Sequence, residues 1–473
     1  MRLGTAVCVL LASCKVGPDY KKPRTESKLP TEFNLPDDPA LKTGGDDLEK
    51  WWEVFEDPQL EDLIQRAAKQ NLDVRIALAR VNESRARIDV ASAQGKPQVG
   101  LKAGAGGRSF GQSGGVYAVG IDAAWELDVW GKIARQVEVA TAEFEATVEE
   151  QRDVMVSLYA EVARNYLAVR TYQEQLASAE RNIEAQREIV AITRGRFEAG
   201  LNSRLDVAQA ERILATSESE VPPLRIQLAR STNTIGVLLG QFPRDLHSEL
   251  KNDKPIPVPP ELVMVGVPAN LVRQRPDIRA AERRLAAQTA RVGVATADLY
   301  PQFSLGGSLG TGSLSSGNLL TGGAGMRWQI FDGGRIRSQI KIEDFRVEQA
   351  VLTYESTVLQ ALEEVESAIV AFLESGMRAD SVGRAAEIAR EELRLGMELY
   401  KLGLIQFQSV LEAERAIFNL ENQLANARGE ASANLVRLYK ALGGGWDPQK
   451  VEKPDPKKFD DQPDTKRTLE DGP

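Results

Sequence analysis

Residues able to do covalent or metal chemistry are scarce in this chain of 473 amino acids. The cysteines are Cys8 and Cys14, and the single histidine is His247. No disulfide framework, Cys/His metal site or Cys–His dyad can be built from these. No Ser-His-Asp set, P-loop or metal-ligand spacing is present. Asp and Glu are plentiful, but on helical faces such charges are surface decoration. The chain therefore reads as a protein that is not an enzyme and needs no cofactor. His247 falls in a stretch rich in proline and charge, where a solvated loop histidine is expected. A net charge of −9 argues against nucleic acid as a partner, since nucleic acid selects basic patches.

Cys14 is the thiol with a chemistry. An apolar run from Ala6 to Ala12 follows a lone Arg2, the pattern of a short secretory signal over residues 1–13. The tetrad Leu11-Ala12-Ser13-Cys14 resembles a bacterial lipobox, in which the cysteine is acylated and becomes the new N-terminus. Cys14 is thus the expected lipid-attachment site, and its covalent lipid the only added group. Such a chain anchors a protein without spanning the bilayer. No apolar run reaches the ~18 residues of a membrane helix.

The remaining candidates are charges at alternate positions. From Tyr117 to Leu127 the odd positions are Tyr, Val, Ile, Ala, Trp and Leu, and the even ones are Ala, Gly, Asp, Ala and Glu. Period two with two such faces is a strand between two solvents, and about 9–11 tilted residues cross a bilayer as a strand. Val99 to Ala105 alternates likewise, so a hairpin is expected at about 97–128 around a Gly/Ser loop. Phe303 to Leu309 and Met326 to Ile330 repeat the pattern, with a hairpin at about 301–331. Lys102, Asp122, Glu126 and Arg327 should then line water, with Trp125 and Trp328 toward lipid.

Long helices must carry these strands. No proline occurs between Gly131 and Glu220. Val148, Met155, Val162 and Val169 recur every seven residues, and Val156, Tyr159 and Tyr166 form a second stripe. A helix with two seams has two helical neighbours, as in a hollow barrel or an ordinary long bundle. Gly200 and Ser203 mark a turn, as C-cap and next N-cap. In the second half Val351, Val358, Val365 and Phe372 keep the seven-residue spacing. The second half repeats the first. An offset of 203 places Trp125-Glu126-Leu127 on Trp328-Gln329-Ile330, Gly200-Leu201 on Gly403-Leu404, and Ala210-Glu211-Arg212 on Ala413-Glu414-Arg415.

The expected organisation follows. Residues 14–57 are a lipidated extended segment with little core. Residues 58–240 are the first repeat: a helix to about Ala93, a strand hairpin, and a long helical hairpin turning near 200. A Pro-rich connector spans 241–270, the second repeat spans 271–443 and turns near 403, and a tail follows at 444–473. Four strands cannot close a barrel, and open sheet edges are not tolerated in lipid. The sheet must be shared among copies: three give twelve strands, two give eight, and the helices' need for lateral neighbours favours three. The fold class is mixed α and β, a trimeric membrane β-barrel of twelve strands continued by a long α-helical barrel; the resemblance given next implies that the membrane is the outer one.

The sequence resembles the TolC-like outer-membrane factors, in the lipoprotein branch of resistance–nodulation–division efflux systems (OprM/NodT-like). The carrying residues are Cys14-Lys15-Val16-Gly17-Pro18-Asp19-Tyr20, Trp51-Trp52, Arg275-Pro276-Asp277-Ile278-Arg279-Ala280-Ala281-Glu282 and Phe331-Asp332-Gly333-Gly334-Arg335. The match runs from Cys14 to about Gly443. It implies a homotrimer in the outer membrane, extending into the periplasm, with an equatorial region built from the termini and connector. It implies helical tips near Gly200, Leu201, Gly403 and Leu404 that close the periplasmic end and meet an adaptor protein, with Asp206 as the gate candidate it offers. The function expected is a passive exit duct of a tripartite pump, carrying small molecules such as drugs from an inner-membrane resistance–nodulation–division transporter. The alternatives are the duct of a type I protein secretion system and a non-conducting structural coiled-coil lipoprotein.

Overall fold

The computed structural model describes residues 15–23, 29–33, 41–43, 48–108, 114–260, 262–312 and 319–446. Cys14, the signal at 1–13 and the tail beyond 446 lie outside the described residues. The first half comprises β1 (Leu41–Thr43), a 3₁₀ turn (Trp51–Phe55), α1 (Pro58–Gln70), α2 (Leu72–Ala93), β2 (Gln98–Arg108), β3 (Gly114–Leu127), α3 (Lys132–Glu198) and α4 (Arg204–Leu238). The connector holds α5 (Pro243–Glu249), β4 (Val263–Val265) and α6 (Pro268–Gln274). The second half follows with α7 (Pro276–Ala297), β5 (Gln302–Gly312), β6 (Leu319–Arg327), α8 (Arg335–Lys401) and α9 (Phe407–Ala441).

Local chemistry sets the helix ends. Asp57 caps α1 by accepting from the backbone N–H of Gln59 and Leu60. The helix expected to run on to Ala93 instead breaks at Asn71. Its buried side chain caps α2 by accepting from Val74 N at 3.0 Å and donates to Leu238 O at 2.9 Å. That second bond ties the break to the end of α4, which no local pattern encodes. Asp128 caps α3 through Ile133 N and Ala134 N, and Asp332 caps α8 through Gly334 N and Ile336 N. These backbone donors, led by that of Ile336, hold the Asp332 carboxyl below its ordinary range. Helix α4 runs through Pro222 and Pro223 without ending. The pair removes two N–H donors that would have served carbonyls one turn earlier.

Helices α3 and α8 have 67 residues each, about 100 Å at 1.5 Å per residue. In α3, Val148, Val162 and Val169 are buried, as are Val156, Tyr159 and Tyr166 of the second stripe. It packs against α2, α4, α7 and α9. In α8 one seam is buried through Val358, Val365, Ile369 and Phe372, while Leu352 and Leu359 stand exposed. One chain thus covers both sides of α3 but leaves one side of α8 open.

The four long strands form one antiparallel sheet in the order β2-β3-β5-β6. The register aligns Gly100, Asp122, Ser308 and Thr321 in one row and Leu101, Ile121, Leu309 and Leu320 in the next. Paired residues share a face, so the first row puts charge, hydroxyl and glycine on one face and the second puts apolar side chains on the other, and both faces are open in a single chain. β6 ends at Arg327, short of the expected 331. Trp328 lies beyond it and donates its indole N–H to Leu299 O at 3.0 Å, as Trp125 does to Gly95 O at 2.9 Å.

The largest core sits midway along the helices. Trp51 stacks on Tyr439 with ring centroids 5.7 Å apart, and Trp52 meets Tyr159 edge-on at 5.1 Å. β1 pairs in parallel with β4. Phe33 and Leu41 are buried in this core, which corrects the expectation that the N-terminal segment carries little core. His247 sits on α5 rather than in a loop, exposed, with Nε2 2.8 Å from Asn233 Oδ1.

Candidate functional site

The polar sheet face carries all four residues expected to line water. Lys102 Nζ lies 3.0 Å from Asp122 Oδ2; as Lys102 is well exposed, the pair contributes under about 1 kcal/mol. Glu126 pairs in register with Ser304, two rows from Arg327 and Gln302 on the same face. Arg327 donates to Gln302 Oε1 at 3.1 Å and makes no bond to Glu126. The opposite face exposes Val99, Leu101, Tyr117, Ile121, Leu309, Leu320 and Met326. Water cannot cover that face cheaply at about 25 cal/mol per Å² of apolar surface. A sheet with one such face and two free edges is a piece of a barrel wall in lipid.

At the other end of the molecule the two helical turns lie together. Gly200 and Gly403 take φ of +71° and +72°, a region where a side chain is strained. Leu201 and Leu404 are 67% and 68% exposed. Arg196 donates to Asn202 Oδ1 at 3.3 Å and to Tyr400 O at 3.4 Å, and lies 4.8 Å over the Tyr400 ring. Asn202 donates to Tyr400 Oη at 2.8 Å. Arg196, Asn202 and Tyr400 thus tie one turn to the other. The sequence pattern does not show this tie, because it joins residues about 200 positions apart. Asp206 forms a capping box with Ser203 at the start of α4.

Just after Cys14, the chain is pinned at the strand-to-helix junction. Arg135, 1% exposed on its side chain, donates to Val16 O at 3.1 Å, Gly17 O at 3.3 Å and Asp19 at 2.7 Å. Val16 N donates to Trp130 O at 3.2 Å. A Cβ on Gly17 would fall 2.4 Å from the Gly293 Cα, so only glycine permits this approach. Tyr20 donates to Glu282 at 2.8 Å, and burial with that bond pushes its hydroxyl pKa up. Trp130 stacks on Tyr300 and donates to Pro301 O. Among the described residues no group of three or more His, Cys, Asp or Glu could hold a metal.

Comparison with known proteins gives one answer throughout. The family model described as "Outer membrane efflux protein" matches residues 63–241 and 267–444. These are two blocks, one per repeat. Nodulation protein T of Rhizobium leguminosarum bv. trifolii is 32% identical over 93% of this chain and 96% of its own length. The solvent efflux pump outer membrane protein SrpC of Pseudomonas putida is 30% identical over 93% and 97%. The solved outer-membrane channel OprN superposes with a TM-score of 0.83 at 33% identity, covering 92% of this chain and all of its own. The fold is that of a trimeric outer-membrane channel: each copy supplies four strands to a twelve-stranded barrel and its helices to an α-helical barrel extending into the periplasm.

Proposed function

We propose, since this chain belongs to the outer membrane efflux protein family, that it is the passive exit duct of a tripartite efflux pump. The observation that carries this reading is the continuity of a two-faced, open-edged sheet with helices about 100 Å long. Energy comes from an inner-membrane resistance–nodulation–division transporter, and a periplasmic adaptor bridges the two. The chain contributes a water-lined path and no bond chemistry. In that path Lys102, Asp122, Glu126 and Arg327 face the lumen, and the exposed tips at Gly200, Leu201, Gly403 and Leu404 meet the adaptor. Opening requires the turns to part, which means breaking the ties among Arg196, Asn202 and Tyr400. Cys14 carries the lipid. The hold on Val16 and Gly17 at the strand-to-helix junction supports a lipid carried at the inner leaflet of the outer membrane.

The test is reconstitution of the full-length protein in planar bilayers. Discrete, intermittent conductance is expected, with a higher open fraction in Asn202→Ala. Absence of any conductance would sink the duct and leave a structural lipoprotein. Affinity purification from the native membrane should bring down a proton-driven transporter of small molecules. An ATP-binding exporter in its place would point to protein secretion. Mass spectrometry should find acyl chains on Cys14 that are lost in Cys14→Ser.

A further inference from the structure

Glu414 is buried in α9 at 1% exposure, and its Oε1 has no hydrogen-bond partner among the described residues. It lies one turn from Val410 and Leu411, which pack with Ile189, Val190, Ala210, Ile213, Tyr400 and Phe407 in the cluster nearest the turns. One heptad further from the tip, the half-buried Glu421 shows how a carboxylate on this face is partnered. It accepts from Ser178 Oγ at 2.5 Å and from Arg390 Nε at 2.9 Å. One heptad toward the tip, the position following Arg390 on α8 is Met397, and those following Ser178 on α3 are Ala185 and Gln186. The layer of Glu414 therefore lacks the cation that the layer of Glu421 has.

Among the described residues no other charge fills the gap. On α8, Arg394 is bound to Glu391 and Glu398, and Arg390 to Glu421. On α3, Arg187 is bound to Glu184 and Glu218, and Arg194 to Glu211 of α4. Gln186 spends its amide on Asn182. On α9 itself, Arg415 points to the exposed side and lowers the Glu414 pKa less than burial raises it. Because Glu414 is enclosed within one chain, a neighbouring copy cannot reach it either.

We propose that Glu414 is a proton-operated latch on the paired turns: its neutral carboxyl keeps the start of α9 packed against α3 and α8, and loss of the proton loosens them. Burial pushes its pKa up to about 7, within the range a periplasmic protein meets. The cluster one helical turn along α9 from Glu414 includes Tyr400, which is also tied to Arg196 and Asn202. Charging Glu414 therefore acts on the contact that holds the turns together. The direction is fixed: closed and tight below the pKa, looser above it.

This rests on the duct reading, and the experiment separates the two. The full-length protein is recorded in planar bilayers at about pH 6 and about pH 8, either side of the pKa. The open fraction of the wild type should rise roughly tenfold or more, since a single pKa unit is worth about tenfold in an equilibrium. Glu414→Gln, neutral at both values, should stay at the low level. Met397→Lys, which supplies the missing cation, should also abolish the rise. Hydrogen exchange over residues 407–417, corrected for intrinsic rates, should quicken at high pH in the wild type alone and reads the latch without conductance. A conducting wild type with a pH-independent open fraction and exchange overturns the latch, as does a Glu414→Gln protein that keeps the rise. No conductance at either pH overturns the duct, and exchange then decides the latch by itself.

Discussion

The two helical hairpins have the same lengths, 67 and 35 residues in each half, and put the same tripeptide to opposite uses. In the first, Glu211 of Ala210-Glu211-Arg212 is near the surface and lies 2.7 Å from Arg194. In the second, Glu414 of Ala413-Glu414-Arg415 is enclosed without a cation. The same divergence occurs at the other end. Arg135 pins the N-terminal segment, and its counterpart 203 residues on is Ser338, which makes no such latch. A repeated sequence builds a repeated scaffold. What packs against each copy decides whether a given polar residue is a surface pair, a clamp or a strained charge.

The largest effect should come from the glutamates. A folded-state pKa near 7 for Glu414, against about 4.3 when unfolded, means the packed state binds more protons between those values. Stability should be fullest at the acid end of that window, fall as pH rises toward 7, and level off above. At pH 8, Glu414→Gln should therefore be more stable than the wild type by about 3 kcal/mol per copy, measured by chemical unfolding in detergent. Glu211→Gln should shift stability by no more than about 0.5 kcal/mol. Equal responses at both positions would break the contrast.

Arg135→Ala should cost about 2 kcal/mol, because two backbone carbonyls lose a charged donor in a buried site. Ser338→Ala should stay within about 0.5 kcal/mol. Unfolding midpoints measure both, and a cost at Ser338 as large as that at Arg135 would show the latch to be no special feature of the first half. At the turns, Asn202→Ala removes a bond worth about 1 kcal/mol and should raise the open fraction in bilayers. Its counterpart Ile405 makes no equivalent bond. The smallest effect is at the caps. Ser203→Ala should cost about 1 kcal/mol of local stability, and Gln406→Ser, where no side-chain cap exists, should gain about 0.5 kcal/mol. Hydrogen exchange over the first turns of α4 and α9 reads both.

Much of the architecture was legible without coordinates. Alternation over Tyr117–Leu127 carried the strand and its two faces, because side chains on a strand point to opposite sides whatever the partner. Val148, Val162 and Val169 carried the helical seam for the same local reason. The aligned row of Gly100, Asp122, Ser308 and Thr321 was less accessible: alternation gives the face, and only pairing gives the register. The break at Asn71 was hidden because its side chain is held by Leu238 O, 167 residues away. Buried Phe33 and Leu41 were hidden because a Pro- and Asp-rich segment looks solvated until β4 is found beside β1. Cys14 was read from its tetrad alone and lies outside the described residues.

By itself the sequence determined the periods, the repeat and the turns at Gly200 and Gly403. Those depend on backbone geometry within a few residues, which each residue type biases locally. Only the tertiary structure decided which arginine becomes a clamp, which tyrosine ties the turns and which glutamate is left without a cation. These outcomes depend on which distant groups share a low-dielectric space, and the energy of a buried charge is set by its neighbours far more than by its own identity.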